Sequence, residues 1–269
     1  MGAPQATALL IAGLLLLLLL LGIVTREWLV LRARQRQRGL FRRWPIPRIT
    51  LDQLDSRFRP DTLGPTLGTE VSFVGRGTLR VPGGTSDAEA WILAVVAKDA
   101  RVMFEFGTCT GKTAYLWARN QPAGGTVTTL TLPPEQADQV EGVAAGDDPV
   151  AVAYAREESR FSRFLYSGTA AEARIVQLLG DSKQFDERPF AGRCDVVFVD
   201  GSHAYSYVVS DSAKALTMVR PGGLVLWHDY SPECPGVFRA LNELVQRLPL
   251  VHVEGTTLVA HRRERAVDS

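Results

Sequence analysis

Asp200, His203, His228 and Asp229 fall in one stretch, CDVVFVDGSHAYSYVVSDSAKALTMVRPGGLVLWHDY, which runs from Cys194 to Tyr230. Carboxylates bind hard divalent cations and accept protons, and imidazole exchanges a proton near neutral pH. The stretch reads as an apolar run ending on Asp200, a polar loop with His203, a helix, a Pro221-Gly222-Gly223 turn, and a second apolar run ending on His228-Asp229. Side chains at the ends of parallel strands are how an open α/β sheet builds a site. Neighbouring strands lie about 4.8 Å apart, so both aspartates can reach one ion such as Mg²⁺, Ca²⁺ or Mn²⁺. His203, three residues past Asp200, faces the same space and is the candidate general base. The plainer alternative makes Asp200 a helix cap and His228 a packed core imidazole.

A second set lies upstream in FEFGTCTGKT. A short strand runs into a glycine loop that opens a helix, a place where a ligand can approach backbone amides. A phosphate-binding loop needs four residues between its glycines, and Gly107 to Gly111 encloses three. A dinucleotide loop needs glycine where Cys109 stands. Glu105, two residues before the first glycine, can accept a hydrogen bond from an ammonium, which suits a cationic, amino-acid-like cofactor better than phosphates. Gly180-Asp181-Ser182 follows another apolar run, Arg174–Leu179, with side chains able to bond an adenine edge.

These residues need strands and helices to hold them. Ser86 with Glu89 three residues on is a capping box and starts a helix that runs to about Lys98. Further strands are expected at Arg101–Phe106 and Thr126–Leu132. One or two helices are expected in 134–165, with a loop at Gly142–Pro149. An amphipathic helix follows over Pro235–Leu248, and two last strands flank Glu254-Gly255. Strands alternating with helices imply a parallel, doubly wound sheet.

Ahead of this body, Ala6–Val24 carries no charge and includes the leucine run Leu14–Leu21. Nineteen helical residues span about 28 Å, close to a bilayer core. Residues 1–5 lack Lys and Arg and no small-x-small cleavage site follows, so an anchor is expected rather than a cleaved signal. Seven of the 30 basic residues but one of the 29 acids lie in residues 1–43, which leaves the remainder net acidic by five. All seven (Arg26, Arg32, Arg34, Arg36, Arg38, Arg42, Arg43) follow the apolar run, which places the body in the cytoplasm. The chain's net charge of +1 offers a nucleic acid no electrostatic attraction. Three cysteines, Cys109, Cys194 and Cys234, with no CxxC pair, argue against a disulfide framework or a zinc site.

Five motifs in order resemble class I S-adenosylmethionine-dependent methyltransferases: E-x-G-T-x-x-G-K-T, T-L-T-L-P-P-E, G-D-S-x-x-F-D, D-V-V-F-V-D-G-S-H-x-Y and R-P-G-G-L-V-L-W-H-D-Y. The resemblance covers roughly residues 86–261. It is nearest to the bacterial branch with cephalosporin-hydroxylase-like proteins and macrolide sugar O-methyltransferases. It implies S-adenosylmethionine as cofactor, with Glu105, Gly107 and Gly111, and Thr108 of the same loop, at the methionine part. Asp181 and Ser182 would then hold the adenine. In the sugar enzymes the Asp-Gly-Ser-His run resembles a metal aspartate, here Asp200, followed by the base, here His203, and a pair of acids completes a divalent-cation site. This chain has His228-Asp229 in place of that pair. At Thr131, where the family has a ribose-binding acid, it has a hydroxyl, and Glu135 is the nearest substitute.

The expected architecture is therefore α/β, a doubly wound, mostly parallel seven-stranded sheet with a C-terminal antiparallel hairpin, preceded by one transmembrane helix. Residues 1–30 are the anchor, 31–85 a basic juxtamembrane linker and irregular cap, and 86–269 the methyltransferase-like domain. The expected reaction is O-methylation of a small-molecule, sugar or lipid-linked hydroxyl, with Mg²⁺ or another divalent cation assisting. A cephalosporin-hydroxylase-like or degenerate cofactor-binding protein that does not methylate is the alternative, motivated by Thr131. A nicotinamide oxidoreductase is disfavoured by Cys109 and Glu105. Oligomeric state is not legible.

Overall fold

In the computed structural model the chain divides into two units, residues 1–43 and 44–269. The residues described are 2–37, 44–79, 81, 84–137, 144 and 147–265. Arg38, Arg42, Arg43, Pro82 and half of the loop expected at 142–149 lie outside them.

The first unit is one helix, α1 (Ala3–Gln37). It runs past residue 30, where the linker was expected to begin. Leu14–Leu21 are each at least half exposed, and a helix apolar on every face calls for an apolar medium. Ile11–Val30 is long and apolar enough to cross a membrane.

The second unit is built on one sheet. Its strands are β1 (Arg48–Ile49), β2 (Val102–Phe106), β3 (Thr126–Thr131), β4 (Ile175–Leu179), β5 (Cys194–Val199), β6 (Val219–Trp227), β7 (Val251–Val253) and β8 (Val259–Arg262). The order is β1-β7-β8-β6-β5-β2-β3-β4. Only β8 runs against its neighbours, β6 and β7. The sheet thus has eight strands, one more than expected. The extra strand is β1, two residues directly after Pro47, where no alternation can show in sequence. It pairs parallel to β7, and Pro47 O accepts from His252 N at 2.8 Å. Part of the expected irregular cap is therefore sheet. The Pro-Gly-Gly segment likewise lies inside β6, beside an irregular register with β5.

The helices of this unit are α2 (Leu51–Leu54), α3 (Asp87–Val96), α4 (Lys112–Asn120), α5 (Pro134–Ala137), α6 (Pro149–Glu158), α7 (Tyr205–Met218) and α8 (Pro235–Leu244). Helix α3 opens with the expected capping box, with Glu89 N donating to Ser86 Oγ and Ser86 N to Glu89 Oε2. Period-2 alternation sorts the strands into two cores. Met103, Val196 and Phe198 pack with Leu93 of α3 and Trp117 of α4. Phe104, Phe106, Val197 and Trp227 pack with Met218 of α7 and Phe238 of α8. Each fully buried side chain of this size contributes roughly 1.5–3 kcal/mol.

Strands β2 and β3 are successive neighbours, while β5 lies on the other side of β2. The winding reverses there, and an open α/β sheet has its crevice at the carboxyl ends of such strands.

Candidate active site

The β5–β6 register sets Val199 beside Trp227, so the next residues, Asp200 and His228-Asp229, emerge side by side. His228 Nδ1 lies 3.0 Å from Asp200 Oδ1 and 3.1 Å from Asp229 Oδ2. His203 Nε2 lies 2.8 Å from Asp229 Oδ2. The four residues singled out from sequence thus form one cluster. Asp229 has φ +58°, a left-handed conformation uncommon for a residue with a Cβ, and such backbone strain gathers at functional sites. Its amide is held by Thr257 Oγ1 at 3.2 Å. The chain after His203 is fixed by α8, because a Cβ on Gly236 would stand 2.2 Å from His203 O.

Burial opposes charge on all four groups, and the partners decide the outcome. Burial disfavours the His228 cation, but the Asp200 and Asp229 carboxylates raise its pKa well above the ordinary imidazole value. Burial works the same way on His203, yet the hydrogen bond and charge of Asp229 carry it up to about 8. Asp229 would be raised by burial, but the charge of His228 and hydrogen bonds from both imidazoles hold it below the carboxylate range. Burial wins at Asp200, which is raised.

Beside this cluster a cleft opens at the ends of β2, β3, β4 and β5. Gly107, Thr131, Asp181, Ser182 and Asp200 line it, with parts of α6 and α7. Gly107 has φ +99°, and a Cβ there would stand 2.0 Å from Asp200 O, so only glycine lets the two strand ends close up. Three expected cofactor residues do not line the cleft. Glu105 is 1% exposed and accepts from Thr129 Oγ1 at 2.6 Å. Alternation turns it to the sheet face opposite Phe104 and Phe106, and burial pushes its carboxyl up to about 8. Thr108 is buried against Thr129, with Oγ1 atoms 2.8 Å apart. Gly111 starts α4, packed under Tyr166. Glu135 is exposed on α5 and is not among the residues that line the cleft.

Residues 104–230 match a family described as methyltransferase domain. No curated protein matches the chain. Among solved structures it is similar to the O-methyltransferase TomG from Streptomyces achromogenes in complex with SAM, at 19% identity, TM-score 0.44, covering 67% of this chain and 82% of that one. It is also similar to an O-methyltransferase from Bacillus cereus in complex with SAH (19%, TM-score 0.44, 68% and 84%). A third is the SAH-bound methyltransferase PaMTH1 of Podospora anserina (16%, TM-score 0.48, 69% and 83%).

The fold brings two further acids to the cluster that have no signal in the motifs. Glu89, which the sequence marks only as a capping residue, has Oε2 3.4 Å from His228 Nε2, an ion-pair distance too long for a hydrogen bond. Its Oε1 accepts from Thr257 N at 2.7 Å and Thr257 Oγ1 at 2.8 Å. Burial would raise Glu89, but His228 holds it below the carboxylate range. Glu158, at the end of α6, lines both the cleft and a second cavity shared with Asp200, His203, His228 and Asp229. Burial pushes its carboxyl up to about 7. Only the packing of α6 over the strand ends puts it there, and α6 has a weak sequence pattern.

Proposed function

We propose that the protein is an S-adenosylmethionine-dependent methyltransferase that methylates a hydroxyl, with His203 as general base. One observation carries this reading. Asp200 and Glu158 line both the cleft that would take the methyl donor and the cavity that holds the two imidazoles, so donor and base share one space.

The acceptor oxygen attacks the methyl carbon, the carbon–sulfur bond breaks with its electron pair going to sulfur, and the hydroxyl proton passes to His203. Asp229 accepts from His203 Nε2 at 2.8 Å, which leaves the Nδ1 lone pair as the proton acceptor. Sulfonium is a good leaving group, so alignment of the two substrates carries much of the remaining rate.

Asp200, His228 and Asp229 each offer one ligand atom, all within 4.8 Å of one another. Two carboxylates and an imidazole fit a divalent ion, with a donor set softer than Mg²⁺ prefers. Bound there, such an ion would lower the pKa of the acceptor hydroxyl. The spacing of His228 Nδ1 from both carboxylates favours a second reading, in which a protonated His228 supplies that positive charge itself. Activity that survives chelation supports the imidazolium, and activity restored only by an added divalent ion supports the metal.

The apolar helix supports a membrane-anchored protein, and the arginines that follow it support a body on the cytoplasmic side. A hydroxyl on a lipid-linked or membrane-proximal molecule is the acceptor class this favours. The test is transfer of label from methyl-labelled S-adenosylmethionine to membrane extracts, with calorimetry against S-adenosylhomocysteine and NAD. Binding of neither sulfur ligand refutes the proposal, and binding without transfer favours a cofactor-binding protein that does not methylate. Protease added to intact spheroplasts spares a cytoplasmic body and digests one outside.

A further inference from the structure

Asp211 takes no part in the chemistry above, yet it is a buried acid in the wall of the cleft. It lies on the inner face of α7, 1% exposed, among the lining residues next to Ser182 and Tyr207. One carboxylate oxygen is committed, since Ser182 Oγ donates to Oδ2 at 3.1 Å. The other, Oδ1, is buried and has no hydrogen-bond partner. A buried acceptor left unmade is costly and calls for a donor. Burial pushes the carboxyl up to about 7, as expected of an acid whose partner is absent.

The acid nearest it in this wall, Asp181, is engaged. Asp181 Oδ1 accepts from Lys183 N at 2.9 Å, and the Tyr207 hydroxyl hydrogen-bonds the same side chain. Asp181 O accepts from Gln184 N at 2.9 Å and Phe185 N at 3.0 Å. Asp181 therefore shapes the loop after β4. That loop is bolted to α7 by Lys214 Nζ, which donates to Ser182 O at 2.6 Å, Lys183 O at 3.0 Å and Phe185 O at 2.5 Å. The bolting sets Asp211 beside the loop expected to hold the base.

We infer that Asp211 Oδ1 accepts the exocyclic amine of the cofactor's purine, so that Asp211, and not Asp181, selects a 6-aminopurine. This rests on the proposed use of S-adenosylmethionine. Its ground is the pairing of a vacant buried acceptor in the cleft wall with a neighbouring acid, Asp181, already held by the loop after β4. A ligand without the amine leaves Oδ1 unpaired in apolar surroundings and binds more weakly.

The test compares calorimetric affinities for S-adenosylhomocysteine and its 6-deamino purine counterpart. Wild type should prefer the amine by about 10- to 100-fold, the value of one buried hydrogen bond to a charged group. Asp211→Ala should bring the ratio close to one. Asp211→Asn, which keeps an acceptor oxygen in the same shape, should restore most of it. Asp181→Ala should weaken both ligands while keeping the ratio. Circular dichroism melts show which variants fold, and the wild-type ratio stands whether or not Asp211→Ala does. A wild-type ratio near one, a ratio unchanged in a folded Asp211→Ala, or a ratio abolished by Asp181→Ala alone overturns the inference. Folded wild type that binds neither ligand overturns the cofactor reading and this inference with it.

Discussion

The cleft and the acid–imidazole cluster adjoin at the same strand ends and both bury carboxyl groups, yet they treat them in opposite ways. Glu105 and Asp211 are buried with hydroxyls for partners, and burial carries them up to about 8 and about 7. Burial acts on Asp229 and Glu89 as well, but imidazoles face them and both are held below the carboxylate range. Depth is the same in kind, and what differs is an imidazole at ion-pair distance, which Asp229 and Glu89 have. Asp200 falls between: it lines both regions, meets His228 at 3.0 Å, and is still raised by burial. The contrast suits two tasks. A largely apolar cleft can take a ligand that brings its own donors and charge, and a cluster with charge already in place can hold and move a proton.

The largest expected effect lies in the cluster. His203→Ala should lower kcat/KM by about 10²- to 10⁴-fold, the usual value of a general base, while calorimetry shows unchanged affinity for S-adenosylhomocysteine. Loss of binding as well would merge the two regions into one. With its pKa at about 8, His203 must shed its proton before it can accept one, so kcat/KM should climb as pH rises through about 8 and then level off. Asp229→Asn removes the charge that raises His203 and should move that limb to lower pH. A limb that stays in place would mean another group titrates.

Next is stability. His228→Phe leaves Asp200, Asp229 and Glu89 facing one another without the buried cation and should cost about 3–5 kcal/mol in urea unfolding. A small change would show that water or an outside ion already compensates them.

Glu105 sharpens the contrast from the other side. Its carboxyl sits at 4.5 when free and about 8 when folded. The folded state therefore holds the proton more tightly, and the contribution of Glu105 to stability is full below about 4.5 and lost as pH rises through about 8. Glu105→Gln should flatten this decline, which reaches about 3 kcal/mol by pH 7, as followed by melts from pH 5 to 9. A wild-type stability that rises over this range would mean that Glu105 has found a cation.

The smallest effect is expected at Thr131. Thr131→Asp supplies the acid that the family resemblance leads one to expect and should tighten S-adenosylhomocysteine by about tenfold, one charge-assisted hydrogen bond's worth. Unchanged affinity would show that the cleft holds the ribose by other means.

Much of this was legible in sequence because it is local. The capping box at Ser86 and Glu89, the apolar runs that became β2 to β6, and the placement of Asp200 and Asp229 at strand ends follow from periodicity and composition. The two-residue β1 escaped because a strand that short has no period to read. Glu105 was legible as an acid before a glycine, but not as one turned under the sheet. Glu89 and Glu158 gave no sign of the cluster, since each reaches it from a helix far away in sequence.

The sequence alone determined the elements, the apolar N-terminal helix, and the residue types at the strand ends, because hydrophobic period, capping and glycine loops act over a few residues. Only the tertiary structure decided which carboxylates are charged. That depends on which acids an imidazole faces, as at Asp229 and Glu89, and which are sealed against hydroxyls, as at Glu105, where the interior no longer screens the difference. These are contacts between segments: the β5–β6 register sets Asp200 beside His228 and Asp229, and the placement of α3 brings Glu89 to them.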